Sequence, residues 1–212
     1  SGLVGSEMCI RDRISGEEQK VQAEQSGTIE YIVDTRKKGQ YKKKGTLLAR
    51  IHSEENGSSI SQVNQRIEEE MAKIDVLRKE ISANRAQQKT YVDQSEISGQ
   101  KYMRWMTLYR NGAVTLEATE DAKRQYYTDV NNLKTQREEE KKSIEQVDVV
   151  KVEIARLIEE RKLLLTKKKD LEIRMPIDGY LDDQRMDRKL GMQVSVGDTL
   201  VKVRGERMSC LL

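Results

Sequence analysis

Along the middle of the chain, apolar side chains recur every seven residues. Ile60, Ile67, Ile74 and Ile81 keep this interval and are interleaved with Val63, Glu70 and Leu77, so six of these seven positions are apolar. Such spacing gathers apolar groups on one stripe of an α-helix and predicts a coiled-coil seam. A second stripe follows at Val150, Leu157, Leu164 and Leu171, interleaved with Val147 and Ile154. Between Ser59 and Leu171 there is no proline, and glycine occurs only at Gly99 and Gly112. Two long helices are predicted, antiparallel, with their turn at Asn111-Gly112.

Continuing the first stripe outward gives Asn84, Gln88, Tyr91, Ser95 and Ser98 before Tyr102 and Trp105 restore bulk. A turn near Gly112 sets Ile60 to Ile81 against about Ser143 to Leu164, apolar on both arms. It sets Asn84 to Ser98 against about Tyr126 to Glu140, polar on both arms. The agreement of the two arms supports the hairpin register and predicts a tighter base and a looser distal half. A helix from Ile60 to Leu108 would extend roughly 75 Å at 1.5 Å per residue.

Outside the helices the periodicity changes to that of short strands, and it does so twice. Gly27, Gly39, Gly45 and Ile51 fall at intervals of twelve, six and six, and so do Gly179, Gly191, Gly197 and Val203. Gly45-Thr-Leu-Leu48 parallels Gly197-Asp-Thr-Leu200, and Arg50-Ile51 parallels Lys202-Val203. Strands are predicted over Thr28 to Val33, Thr46 to Ile51, Gly179 to Asp182 and Thr199 to Val203, separated by glycine turns. A few short strands cannot bury a face alone, so the two segments are expected to pack on each other as one β unit.

The run Ser26-Gly-Thr-Ile29, the glycines after it, and the later Ile173-Arg-Met-Pro-Ile-Asp-Gly-Tyr-Leu181 with its own glycines resemble the two half-motifs of the biotinyl/lipoyl-like domain in the HlyD, or membrane fusion protein, family. Pro176, the only proline, stands in the part similar to the family's Arg-Ala-Pro-x-Asp-Gly run. Met175 replaces the usual alanine, and Lys42 stands where the second copy has Val194. The resemblance implies an α+β fold, in which a long antiparallel two-helix coiled-coil hairpin is inserted between the halves of a small all-β biotinyl/lipoyl-like (barrel-sandwich hybrid) domain. It also implies a periplasmic adaptor of an efflux or type I secretion system, linking an inner-membrane transporter (RND, ABC or MFS type) to a TolC-like outer-membrane duct, with copies associating into a ring. An anchor to the inner membrane is implied upstream of Ile14.

In that family, adaptors that dock onto such ducts carry an arginine, a leucine four later, a serine seven after that and an alanine seven further on. Arg104, Leu108, Thr115 and Ala122 match the spacing, with threonine for serine. By this resemblance they form a partner-binding hairpin tip. Taken alone, the same residues read as Leu108 closing the coil and Thr115 capping the returning helix. Gly27, Gly39, Gly45, Pro176, Gly179, Gly191 and Gly197 are the expected structural positions of the β domain.

Composition narrows the alternatives. The chain is 36% hydrophobic, 4% aromatic and 35% charged, too polar for one large core and suited to solvated helices. Lysine plus arginine, 39, nearly cancels aspartate plus glutamate, 36, which leaves no broad basic footprint for nucleic acid. Ser1 to Arg13, with Met8-Cys-Ile-Arg-Asp12, and the closing residues 206–212 with Met208-Ser-Cys-Leu-Leu212 resemble translated adapter sequence. The expected organisation is thus a non-native 1–13, a first β half at 14–56, a hairpin at 57–171 with its tip near 109–115, a second β half at 172–205, and a non-native 206–212. Setting the ends aside removes Cys9 and Cys210, and with them disulfide, redox and thiolate-metal chemistry.

His52 is the single histidine and offers no pair for zinc. The basic runs Arg36-Lys-Lys38 and Lys42-Lys-Lys44 flank Gly39 and read mainly as a solvated turn. The acidic triplets Glu68 to Glu70 and Glu138 to Glu140 lie on predicted helices, with Glu70 and Glu140 intruding on the seam. A biotin or lipoyl carrier would display lysine in a β-turn, whereas the nearest match, Met71-Ala-Lys73, lies inside a heptad helix. No cofactor and no catalytic site are expected. A non-catalytic coiled-coil tether or scaffold, stapled by the β unit, is the alternative to an adaptor.

Overall fold

The computed structural model describes residues 9–12, 18–34, 40–182, 186–205 and 207–210. It divides into two compact units: Ser1–Val63 with Glu160–Leu212, and Asn64–Glu159. In the first unit, strands β1 (Cys9–Asp12) and β10 (Arg207–Cys210) pair antiparallel, so the backbone ladder takes in end segments that the sequence reading sets aside. The remaining strands are β2 (Glu18–Gln22), β3 (Gly27–Ile32), β4 (Tyr41–Lys42), β5 (Leu47–His52), β6 (Glu172–Arg174), β7 (Gly179–Leu181), β8 (Gln193–Val194) and β9 (Thr199–Gly205). They form two four-stranded sheets, ordered β2-β9-β7-β4 and β6-β5-β3-β8.

Each sheet therefore draws two strands from either side of the helices, and the two distant segments are one folded unit. The sheets are also related to each other. Moving first-half numbers up by 152 and second-half numbers down by 152 carries Gly27↔Val194 into Gly179↔Lys42, and Thr28↔Gln193 into Tyr180↔Tyr41. The same step carries Ala49↔Ile173 into Val201↔Val21, together with the ladder irregularity beside each. Turn hydrogen bonds repeat too: the Gly45 N–H donates to the Met175 carbonyl, and the Gly197 N–H to the Ala23 carbonyl, both at 2.8 Å. The glycine repeat in the sequence is thus an approximate twofold in space.

The glycines serve two purposes. Gly45 and Gly197, at φ 87° and 89°, close equivalent tight turns in the left-handed region, where a side chain is strained. At Gly27 and Gly179 the need is space, since a Cβ would strike the carbonyl oxygens of His52 and Arg204 on the paired strands β5 and β9. Gly191 also has positive φ, 81°, whereas Gly39 lies outside the described residues, as do Arg36 to Lys38. Pro176 follows β6 in a bend. Between the sheets Ile29, Leu48, Ile51, Leu181, Leu200 and Val203 are buried, each matched by its counterpart from the other half. Met175, in place of alanine, is 2% exposed and part of the same core.

Two helices complete the chain, α1 (Glu54–Arg110, 57 residues) and α2 (Leu116–Lys169, 54 residues). Ser53 caps α1 by accepting the Asn56 N–H at 3.2 Å, so the helix starts three residues before the expected 57. At the other end α2 stops at Lys169, and Leu171, read as the last seam residue, instead lies in the β core, its carbonyl accepting the Ile51 N–H at 2.8 Å. A heptad count alone does not see that backbone pairing ends the helix first.

Within the helical unit the seam falls where the heptads place it. Ile67, Ile74, Val147, Val150 and Leu157 are buried. Farther out the facing positions are polar, and they are paired. Asn84 Nδ2 donates to Gln136 Oε1 at 2.8 Å, Arg85 Nε to Glu140 Oε1 at 2.6 Å, and Gln88 Nε2 to Glu140 Oε2 at 2.6 Å. Glu140 does sit on the seam, where Arg85 first and Gln88 second hold its carboxyl below the ordinary range. Tyr126 lies against Gly99 and stacks on Tyr102, ring centroids 6.3 Å apart. A Cβ at position 99 would crowd the Tyr126 ring, which explains a glycine in the middle of a long helix.

Candidate partner-binding tip of the hairpin

The tip is built by one helix ending and another beginning within five residues. Gly112, at φ 73°, takes the left-handed position that ends α1. The Gly112 N–H donates to the Tyr109 carbonyl at 3.0 Å and the Ala113 N–H to the Leu108 carbonyl at 2.8 Å. This pair of bonds satisfies carbonyls that a helix end otherwise leaves open. Thr115 then caps α2, its Oγ1 accepting the Ala118 N–H at 3.1 Å. Thr119 seals the same turn: it is 7% exposed and its hydroxyl donates to the Thr115 carbonyl at 3.1 Å.

The four residues singled out by the sequence do not share one surface. Arg104 is exposed and makes no ion pair among the described residues. Leu108 is half-buried, one helical turn farther along the same face of α1. Thr115 is exposed, with its oxygen engaged as a cap. Ala122 is 5% exposed and lies at a seam position of α2, seven residues after Thr115.

The exposed apolar groups of the tip lie elsewhere. Met103 is 69% exposed, Leu116 51% and Tyr109 44%. Met103 and Leu116 are off the heptad seam, and an apolar residue out of register was the available signal for them. Tyr109 is on the seam count but emerges because α1 ends one residue later. Around these groups lie charges of both signs: Lys101 near the Trp105 ring at 6.0 Å, Lys123 over Tyr127 at 5.4 Å, and Arg124 paired with Asp121 at 3.1 Å. Exposed apolar groups with charges of both signs around them make a surface suited to protein contact.

The other candidate groups have structural explanations. His52 ends β5 with its Nδ1 3.7 Å from Glu30 Oε2, both more than two-fifths exposed. Lys73, in the nearest carrier-like motif, is on α1 and donates to Glu70 Oε1 at 2.6 Å, which raises its pKa. Among the described residues no cluster of histidine, cysteine, aspartate or glutamate is placed to hold a metal ion, and no helix is long and apolar enough to cross a membrane.

No protein-family model matches the chain, and no curated protein does. Among solved structures it is similar to the periplasmic adaptor protein EmrA, at 15% identity over 93% of this chain and 73% of that one, with a TM-score of 0.45. It is similar to the soluble domain of LipC, a membrane fusion protein of a type I secretion system, at 12% identity over 88% and 99%, with a TM-score of 0.47. MacA from Actinobacillus actinomycetemcomitans is 22% identical over 94% of this chain and 54% of that one, with a TM-score of 0.40. EmrA and LipC are described as the class of protein that the sequence motifs resemble. At these TM-scores the likeness adds no argument of its own, and the fold stands on the strand pairing and helix register above.

Proposed function

We propose that this chain is the hairpin-and-β-domain portion of a periplasmic adaptor, a membrane fusion protein of a tripartite efflux or type I secretion system. The observation that carries the reading is the interruption of one two-half β domain by a single unbroken antiparallel hairpin. Such a construction inserts two long helices, joined by one small turn, between the halves of the β domain. In this reading the tip contacts a TolC-like outer-membrane duct, the β side faces an inner-membrane transporter, and copies associate into a ring. The location is the periplasm, with attachment to the inner membrane. The chain itself performs no chemistry; the transporter supplies the energy, and the adaptor supplies a connection of set geometry.

Arg104 and Leu108 are the contact residues of this proposal, joined by the exposed Met103, Tyr109 and Leu116, with Thr115 orienting the turn. Arg104→Asp and Leu108→Ala each abolish export and crosslinking to the duct in a complemented strain, with the helix content of the purified chain unchanged. Export at the unmodified level in both variants refutes the assignment. A tether or scaffold role gives no duct crosslink from any tip position. A carrier role is read by mass spectrometry as an added lipoyl or biotinyl group on a lysine, and the pairing of Lys73 inside a helix opposes it.

A further inference from the structure

Because the halves of the β unit are related position by position, the backbone surface with which the first half pairs to the second would equally pair it to another first half. Ladder hydrogen bonds do not distinguish the two cases, since each recurs after 152 residues. Most core side chains do not distinguish them either: Ile29 matches Leu181, Leu48 matches Leu200, and Ile51 matches Val203. Among counterparts that are both buried, Ala23 and Met175 differ most in size. They occupy equivalent places, each is 2% exposed, and each carbonyl accepts the equivalent turn glycine. Strands β2 and β6, which lead into them, line one cleft of about 250 Å³ whose walls include their neighbours Glu24 and Pro176.

We propose that Ala23 and Met175 form a pairing code, one small and one large residue that together fill this end of the core. Two alanines leave it underfilled and two methionines overfill it. A first half therefore accepts a second half and refuses the first half of another copy of this chain. Lys42 reinforces the choice. Its counterpart Val194 is 8% exposed against Gly27, and a pairing of two first halves would put a lysine in that buried place twice. In any assembly that brings several copies together during folding, the code keeps each β unit composed of unlike halves. It holds whatever the role of the hairpin tip.

The register supplies a specific trap. In a Cys9→Ser, Cys210→Ser background, Thr28→Cys and Tyr41→Cys face Gln193 and Tyr180 in separate sheets of the native chain. Only a pairing of first halves from two chains sets position 28 opposite position 41. After unfolding and oxidative refolding at high concentration, the disulfide-linked dimer stays at a trace. Adding Met175→Ala raises it about tenfold, a loss of discrimination within the cost of a methionine-sized cavity, and the exchanged pair Ala23→Met with Met175→Ala returns it to a trace. Ala23→Met alone makes both halves large, so it also raises the dimer and serves if Met175→Ala does not refold. Unchanged dimer in both single variants, or no recovery in the exchanged pair, overturns the proposal.

Discussion

Replacing Gly27 or Gly179 by alanine tests whether paired strands within each half, β3 on β5 and β7 on β9, approach as closely as the ladder requires. At Gly27 the new Cβ meets the His52 carbonyl oxygen and lies 2.6 Å from Ile51 Cγ2; at Gly179 it meets the Arg204 carbonyl oxygen, with Gly205 Cα 3.2 Å away. The main obstacles are backbone atoms of the paired strand, which cannot rotate aside. The strands part locally, losing one or two ladder hydrogen bonds at about 1 kcal/mol each and core packing worth about 1–3 kcal/mol. Alanine also restricts the unfolded chain, which offsets about 0.5–1 kcal/mol. The net loss is about 1–4 kcal/mol in either variant, or roughly 5–30 °C in Tm for a β unit of this size.

The assay is urea unfolding followed by near-UV circular dichroism, where Tyr41 and Tyr180, edge-on at 5.4 Å, report the β unit. Gly57→Ala is the control, because that glycine lies in α1 with nothing within 4 Å of its would-be Cβ. It gains about 0.5–1 kcal/mol. If the Gly27 and Gly179 variants unfold within about 0.5 kcal/mol of the parent, or shift as Gly57→Ala does, the close approach argued here is wrong.

Three further outcomes are expected. Glu140 has a folded-state pKa below its ordinary value of 4.5, so its contribution is complete above that pH and is lost as pH falls through the lower folded value. An acid titration followed by far-UV circular dichroism should show this step, and Glu140→Gln should remove it. Leu157, 0% exposed, loses about 2–5 kcal/mol on change to alanine, while Val152→Ala, at a 71% exposed site, stays within about 0.5 kcal/mol; the urea midpoint read by Trp105 fluorescence distinguishes them. Thr115→Ala costs about 1 kcal/mol and frays the start of α2, whereas Thr115→Ser keeps the oxygen that accepts the Ala118 N–H, as amide hydrogen exchange at the first turn will show.

The helical hairpin and the glycine repeat could be read from the chain alone because each is a local periodicity. A seam position is set by counting sevens, and Ile67, Ile74, Val150 and Leu157 are where the count puts them. A tight turn needs glycine whatever packs around it, so Gly45 and Gly197 announce themselves. The strands β2 and β6 gave no such signal: β2 buries one side chain, Val21, and its partner β9 lies far along the sequence. Only the folded chain decided that each sheet takes two strands from each half, since ladder bonds join residues that local pattern does not link. It also decided that Leu171 leaves the coil for the β core and that Ala122 faces the seam while Met103 and Leu116 face outward. Periodicity names the face of a helix, but what covers that face, and where the cover ends, depends on the partner element brought against it.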